Sequence, residues 1–401
     1  MRINHLSLTN FRNFTRLEVD ILPGTVVLVG NNAQGKTSLL EAVYYLAGAT
    51  SPHTRSARQL INFLTLRAER PFARLVAEVE SHDRVQQIEI RIMLEPVGPA
   101  NNLRLRKEIL INQQKGRVRD LSGIFNAVLF LPQDMRIIEG SPGERRRYLD
   151  AALCQGDATY AAALADYGKV LTQRNALLRR LAERGGDASQ LEFWDSKISR
   201  HAYTLVRLRT AALAEIEKIA GNIHQELTRG VETFRLLYQP SYAPPLPDRQ
   251  TDSPDPQNRA DQDFLPEEVF IERYLQRLKM SRREELARKT TVLGPHRDDF
   301  VFLSNGIDLT LYGSRGQNRT AMMSMKLAEV EWLHDKSDEW PVLLLDEVLA
   351  ELDIHRREDL LQRINDSKQV LLSSADLEMF DPSFREKATI WSLSAGRIQT
   401  A

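Results

Sequence analysis

The chain has 401 residues, 42% of them hydrophobic and 27% charged, with 54 basic and 54 acidic side chains. That composition fits a globular protein large enough for two structural units, and the charge balance excludes attraction to polyanions by the whole molecule, so any such binding must come from local patches. A single cysteine, Cys154, excludes an internal disulfide framework; with no apolar run long enough for a bilayer and no signal-like N-terminus, a reducing cytosol is the expected compartment.

Residues 1–20 alternate apolar and polar (Ile3, Leu6, Leu8; Leu17, Val19), which predicts two strands joined through residues 9–14. Arg12 sits in that joint, and the residues alone read equally as a solvated arginine or a phosphate contact. Residues 25–29 form a β-branched apolar run after Pro23-Gly24 and predict a buried strand. The full Walker A pattern follows, Gly30-Asn31-Asn32-Ala33-Gln34-Gly35-Lys36-Thr37, and apolar residues at helical spacing continue from Ser38 to Leu46. Strand, glycine loop and helix are the context a phosphate cradle requires, because backbone N–H groups and a helix N-terminus then converge on one anion. Lys36 is expected to reach the β- and γ-phosphates, and the Thr37 hydroxyl to bind Mg²⁺. Something here binds a nucleoside triphosphate.

Alternation resumes at 71–94 and 103–111, predicting antiparallel strands with a turn at Pro96, Gly98 and Pro99. Arg55, Arg58, Arg67, Arg70, Arg74, Arg104, Arg106, Lys107, Lys115, Arg117 and Arg119 punctuate this region. They read first as a polar sheet face, and second as a surface that tracks phosphates. Residues 127–131 predict another buried strand, ended by Pro132; Gln133 behind it is either a cap or a residue that coordinates Mg²⁺ or orients a water.

Ser141-Pro142-Gly143-Glu144 is a helix start with a capping box. Helical periodicity then runs, broken at Gly185-Gly186, to about His224. Each arm is roughly 35 residues, or about 50 Å if straight, and without sustained heptads it predicts a compact antiparallel lobe. Arg145-Arg146-Arg147 opposes the helix dipole and so points to a contact rather than to helix stability. Residues 239–266 are proline-rich and acidic and predict a loop, and a helix follows to about 287. Gly294-Pro295-His296-Arg297-Asp298-Asp299 has the residue types of a catalytic or metal site, but without a second His or Cys cluster it predicts a hydrogen-bonded strand entry. Ser314-Arg315-Gly316-Gln317 opens a helix and forms a second candidate anion site. Residues 341–345 predict a buried strand ending in Asp346-Glu347, the Walker B pattern, with Asp346 on Mg²⁺ and Glu347 as general base for the attacking water. Residues 369–374 and 389–393 predict two last strands.

Together these motifs resemble an ABC-type ATPase head and, more narrowly, the RecF family of bacterial recombination mediators, over essentially the whole chain. The marks are Asn10-Phe11-Arg12-Asn13-Phe14, the Walker A loop, Gly140-Ser141-Pro142 with Arg145-Arg146-Arg147, Gly294 to Asp299, Ser314-Arg315-Gly316-Gln317, and Leu345-Asp346-Glu347 with Glu351-Leu352-Asp353. The resemblance implies an α/β fold, an ATPase head of mixed sheet with a helical lobe inserted between Walker A and the signature and Walker B motifs. Residues 1–140 and 290–401 would form the head, and 141–289 the lobe with its loop at 239–266. It implies nucleotide contacts from Arg12, Gly30, Asn31, Asn32, Ala33, Gln34, Gly35, Lys36, Thr37, Ser38, Gln133, Ser314, Arg315, Gly316, Gln317 and Asp353. Thr37, Gln133 and Asp346 would ligate Mg²⁺, Glu347 and Lys36 would act in catalysis, and Arg145, Arg146 and Arg147 would meet DNA.

Ser373-Ser374-Ala375-Asp376 stands where transporters carry a switch histidine, which implies slow ATP hydrolysis. The resemblance further implies a cytoplasmic homodimer formed with ATP, binding of double-stranded and gapped DNA, and action with RecO and RecR in loading RecA. Two other classes compete: a transporter's nucleotide-binding subunit and a P-loop kinase. The missing histidine and the long segment between Gln133 and Ser314 oppose the first, and the signature loop has no role in the second.

Overall fold

The computed structural model describes every residue except 55, 98–101, 243–263, 352–356, 358–359, 361–366, 379, 395 and 401. Two compact units emerge. Met1–Met135, Cys154–Ala158 and Lys326–Ala401 form the first, and Arg136–Leu153 with Thr159–Met325 the second. Most of the expected proline-rich loop, and Asp353, lie outside the described residues. Among the described residues no helix is long and apolar enough to cross a membrane.

In chain order the first unit contributes β1 (Arg2–Phe11), β2 (Phe14–Asp20), β3 (Gly24–Val29), α1 (Lys36–Gly48), β4 (Phe72–Ser81), β5 (Arg84–Val97), β6 (Asn102–Ile111), β7 (Gln114–Gly116) and β8 (Ala127–Phe130). The chain then passes through α2 (Met135–Glu139), α3 (Pro142–Gly156), α4 (Ala158–Arg184), α5 (Leu191–Leu227), β9 (Phe234–Gln239), α6 (Glu267–Arg288), β10 (Asp299–Ser304), β11 (Ile307–Asp308), α7 (Leu309–Tyr312) and α8 (Arg315–Ser337). It closes with β12 (Val342–Asp346), β13 (Gln369–Ser374), α9 (Pro382–Lys387), β14 (Thr389–Ser394) and β15 (Arg397–Thr400).

Two six-stranded sheets build the first unit: β2-β1-β4-β5-β6-β7, antiparallel throughout, and β15-β14-β3-β13-β12-β8, parallel except for its β15 edge. The alternation read in the sequence is the pleat of the first sheet, with Ile3, Leu6, Leu8, Leu75, Ile88 and Ile90 turned inward. The unbroken apolar runs are the inner strands of the second sheet, β3, β8, β12 and β13, whose residues are buried along most of their length. Helix α1 packs on strands of both sheets, and its Leu39, Leu40, Val43 and Leu46 join the same core. Nearly all of α1 beyond its first turn is therefore buried, and each large aliphatic side chain contributes about 1.5–3 kcal/mol. That burial fixes the helix whose N-terminus carries the glycine loop.

The second unit is helical with one small sheet, β11-β10-β9. The expected first arm is two helices, α3 and α4, separated at Asp157; α5 is a single helix of 37 residues. Sheet pairing moves the expected boundary at 290. Residues 299–304 pair with 234–239 in register Phe300↔Tyr238 to Ser304↔Phe234, so the segment after 290, with the signature, clusters with the helical unit.

Candidate nucleotide site

Sheet order places the two Walker motifs. Strands β3 and β12 both pair with β13, and Val29 and Asp346 end level with Ser374 and Ser373 of that middle strand. The glycine loop leaves β3 there, and Asp346-Glu347 leave β12 at the same sheet edge. Gly30 and Gly35 have φ of +156° and +115°; a Cβ on them would stand 2.4 Å from the Leu393 carbonyl oxygen and 2.6 Å from Asn13 Nδ2. Glycine is required at Gly30 by space against fixed backbone, and at Gly35 by its backbone angle. No side chain caps the N-terminus of α1, and Thr37 is exposed in its first turn. Loop, uncapped helix end and exposed hydroxyl fit a polyphosphate and its cation.

Lys36 is buried at 4% exposure, and its ammonium bends back over the loop. It donates to the Gly30 carbonyl at 2.6 Å and pairs with Glu347 Oε1 at 3.0 Å. Glu347 itself sits at φ +53°, in the left-handed region, which turns its half-exposed carboxylate away from the strand direction. The pair joins both expected catalytic residues, and the lysine's present partners are exchangeable. Asp346 is buried and accepts from Ser373 Oγ at 2.7 Å, while Ser373 Oγ also accepts from the Glu347 N–H at 3.0 Å. Ser373 thus orders the Walker B carboxylates.

Arg12 clamps α1. Its Nε and Nη2 donate to the two oxygens of buried Glu41 at 2.7 and 2.8 Å, and Nη1 donates to the Gln59 carbonyl at 3.1 Å. Among the described residues, two of its five N–H groups stay uncommitted. Gln133, in the 3₁₀ turn Pro132–Asp134, faces His53, its Nε2 lying 2.9 Å from His53 Nδ1. Among the described residues, the amide oxygen of Gln133 has no partner. Burial lowers the pKa of His53, with Glu41 and Asp346 opposing that and Arg12 adding to it, so the ring is neutral at neutral pH. Among the described residues, His53 Nε2 is buried without a partner. Sequence reading missed this histidine, and its only signal was its place a few residues beyond α1.

In the second unit the signature is a capping box for α8. The Ser314 N–H donates to Gln317 Oε1 at 3.0 Å, and the Gln317 N–H to Ser314 Oγ at 3.2 Å. Ser314 to Gly316 are exposed. The three arginines expected at DNA separate. Arg145 is 4% exposed and commits four of its five N–H groups, to Asp299 through Nε at 2.7 Å and Nη2 at 2.8 Å, and to the Ile138 and Gly140 carbonyls. Arg146 donates to the Asp298 carbonyl. Arg147 alone stands out, 49% exposed with Glu144 3.9 Å away. In the first sheet Arg74 pairs with Glu89, Arg106 with Glu95 and Glu108, and Lys107 donates to the Ala49 carbonyl, so these serve the sheet. Among the described residues no cluster of His, Cys, Asp and Glu could hold a metal by itself, and Gly294 to Asp299 is a structural knot: Asp298 accepts from Arg209, Tyr238 and the Ser241 N–H.

The chain is similar to known proteins over nearly its whole length. Residues 2–393 match the model of the RecF/RecN/SMC N terminal domain. The DNA replication and repair protein RecF of Heliobacterium modesticaldum is 36% identical over 99% of each chain, and that of Roseiflexus castenholzii 36% identical over 100% of each. A solved structure described as the recombination mediator protein RecF-ATP in RecFOR pathway superposes with a TM-score of 0.82 at 27% identity, covering 100% of this chain and 97% of that one. The chain belongs to the RecF family, with the fold of an ABC-type ATPase head.

Proposed function

We propose that the chain is an ATP-dependent DNA-binding protein of recombinational repair, cytoplasmic, which dimerises on ATP, binds double-stranded DNA at gaps and stalled forks, and acts with RecO and RecR to help load RecA. The observation that carries this reading is that each chain holds two half-sites with donors to spare. One is the uncapped α1 with Lys36 and Thr37; the other is the exposed signature capping box with Ser314. Their pairing across two chains gives a two-fold dimer with two nucleotides in its interface, each signature closing over the other chain's phosphates. The relatives' names, and a neighbour solved with ATP in the RecFOR pathway, support the same reading.

ATP would lie along residues 30–38, with Arg12 at its edge. Thr37, Asp346 and the free oxygen of Gln133 would hold Mg²⁺, which when bound screens the phosphate charge. Taking Lys36 onto the phosphates releases Glu347 from its ion pair and frees it as a base. Ser373 is engaged on Asp346 and offers no histidine-like contact, which supports slow turnover and ATP as adhesive rather than fuel. Sedimentation with and without Mg·ATP tests the reading. The chain should dimerise only with ATP, and Ser314→Arg should bind ATP normally yet stay monomeric. A Ser314→Arg chain that still dimerises removes the composite site.

A further inference from the structure

Gln317 of the signature is held at both ends of its amide. Its Oε1 accepts from the Ser314 N–H at 3.0 Å, and its Nε2 donates to Glu232 Oε1 at 3.2 Å. A peptide N–H only donates and a carboxylate only accepts, so each partner independently dictates which end is oxygen. The other oxygen of Glu232 accepts from Ser304 Oγ at 2.9 Å and faces His224 Nε2 at 3.3 Å. His224 is fully buried in the last turn of α5, and Ser304 ends β10. One carboxylate thus ties the end of the lobe's longest helix and the end of a strand to the first turn of α8. Burial works against its charge, but the bonds from Ser304, Gln317 and His224 hold its pKa below the ordinary carboxylate range.

The consequence falls on Ser314. Its oxygen already accepts from the Gln317 N–H, so its remaining proton is directed away from the loop's own amides, and a hydroxyl that accepts one bond donates a stronger one. We propose that Glu232 is a positioning residue for the signature: acting through Gln317, it sets the direction in which Ser314 donates and so permits capture of a phosphate on a second copy of this chain. This rests on the composite site proposed above.

The test uses the full chain in four forms: wild type, Glu232→Ala, Gln317→Glu, and the double change Glu232→Gln with Gln317→Glu. Glu232→Ala should bind ATP within about twofold of wild type yet dimerise with ATP at least tenfold more weakly, a change of about 1.4 kcal/mol. Gln317→Glu should fail likewise, because two carboxylates then face each other. The double change should restore dimerisation, since the new amide donates to the new carboxylate, which still accepts from Ser314. Hydrogen exchange in the first turn of α8, measured without nucleotide, should rise in both single variants and fall back in the double. Wild-type dimerisation by Glu232→Ala, or a double variant no better than Gln317→Glu, overturns the inference while leaving the composite site standing. A wild type that stays monomeric with ATP overturns the composite site and this inference together.

Discussion

Two glycine-led segments that carry charged side chains sit in the two units and behave in opposite ways. Around Gly30 to Thr37, Lys36 contacts carbonyls of its own loop and a half-exposed Glu347, and Thr37 faces solvent. Around Gly294 to Asp299 every charge but that of exposed Arg297 is committed. Arg209, 1% exposed, donates to Asp150 at 2.7 Å, to Asp298 at 3.3 Å, to the Pro295 carbonyl and to Tyr160. Asp299 takes two bonds from Arg145, and His296 meets Tyr167 at 2.6 Å and the Thr291 carbonyl at 3.1 Å. Residue types alone would rank the second segment as the richer catalytic candidate. Saturation separates them: a charge whose partners can be exchanged can be handed to a ligand, whereas a buried, fully paired one holds the fold.

The largest expected effect breaks that contrast if it fails. Arg209→Ala leaves buried Asp298 and partly exposed Asp150 without their cation and should cost about 3–5 kcal/mol in urea unfolding. Lys36→Ala should cost less than about 1 kcal/mol there, yet abolish ATP binding in an equilibrium titration. Equal stability losses for the two would mean that the Lys36 contacts are as structural as those of Arg209.

Local periodicity made most of the fold legible. The strand, loop and helix of Walker A, the pleat of the first sheet and the strand before Asp346 all announce themselves within a dozen residues. What stayed hidden depends on pairing across long separations. Arg12 meets Glu41, His53 meets Gln133, and Glu232 meets Gln317, and no local pattern joins them. Arg145 did carry a signal. It shares a helical face with Leu149, Ala152 and Leu153, all buried, so its spacing marked it for the interior while its two basic neighbours suggested DNA.

Glu347→Gln sharpens the exchangeable side of the contrast. An amide cannot take the water's proton, so single-turnover hydrolysis should fall by about 10²–10⁴-fold. Lys36 would also lose its carboxylate partner, so ATP should bind at least as tightly as in wild type, and the ATP-bound dimer should persist. Unchanged turnover places the base elsewhere, and weakened ATP binding means that Glu347 helps to hold Lys36 for the phosphates.

A smaller effect tests the saturated side by pH. Burial first, then Arg297 and Arg146, lowers the pKa of His296 to about 4, against the bond to the Thr291 carbonyl and the charge of Asp298. A base whose pKa falls on folding stabilises fully above its unfolded value, near 6.5, and loses that contribution as pH falls towards 4. Between pH 7.5 and 5 the loss should be about 2 kcal/mol in the wild type. His296→Gln, which cannot titrate, should be flatter by that amount over the same window. Parallel curves would show that His296 is wetter than its contacts indicate.

The smallest effect tests whether the three-arginine helix start meets DNA. With net charge zero, affinity for DNA must come from local cations, and each phosphate contact contributes about 0.9 to the slope of log K against log salt. Arg145 and Arg146 bond inside the second unit to Asp299 and to the Asp298 carbonyl, whereas Arg147 is half exposed, with a long bond to the Gly143 carbonyl at 3.3 Å and a distant carboxylate. Arg147→Ala should therefore lower the slope by about one, worth only about three- to fourfold in the change of affinity between 50 and 200 mM salt, and leave stability unaltered. Arg145→Ala should do the reverse, losing stability because Asp299 is left without its partner while the slope of the folded fraction holds. Measured with Mg·ATP on a gapped duplex, a slope that moves with Arg145 and not with Arg147 would turn the assignment around. It would mean that the Arg145–Asp299 pair opens on DNA, and that a saturated charge in this protein can be handed to a ligand after all.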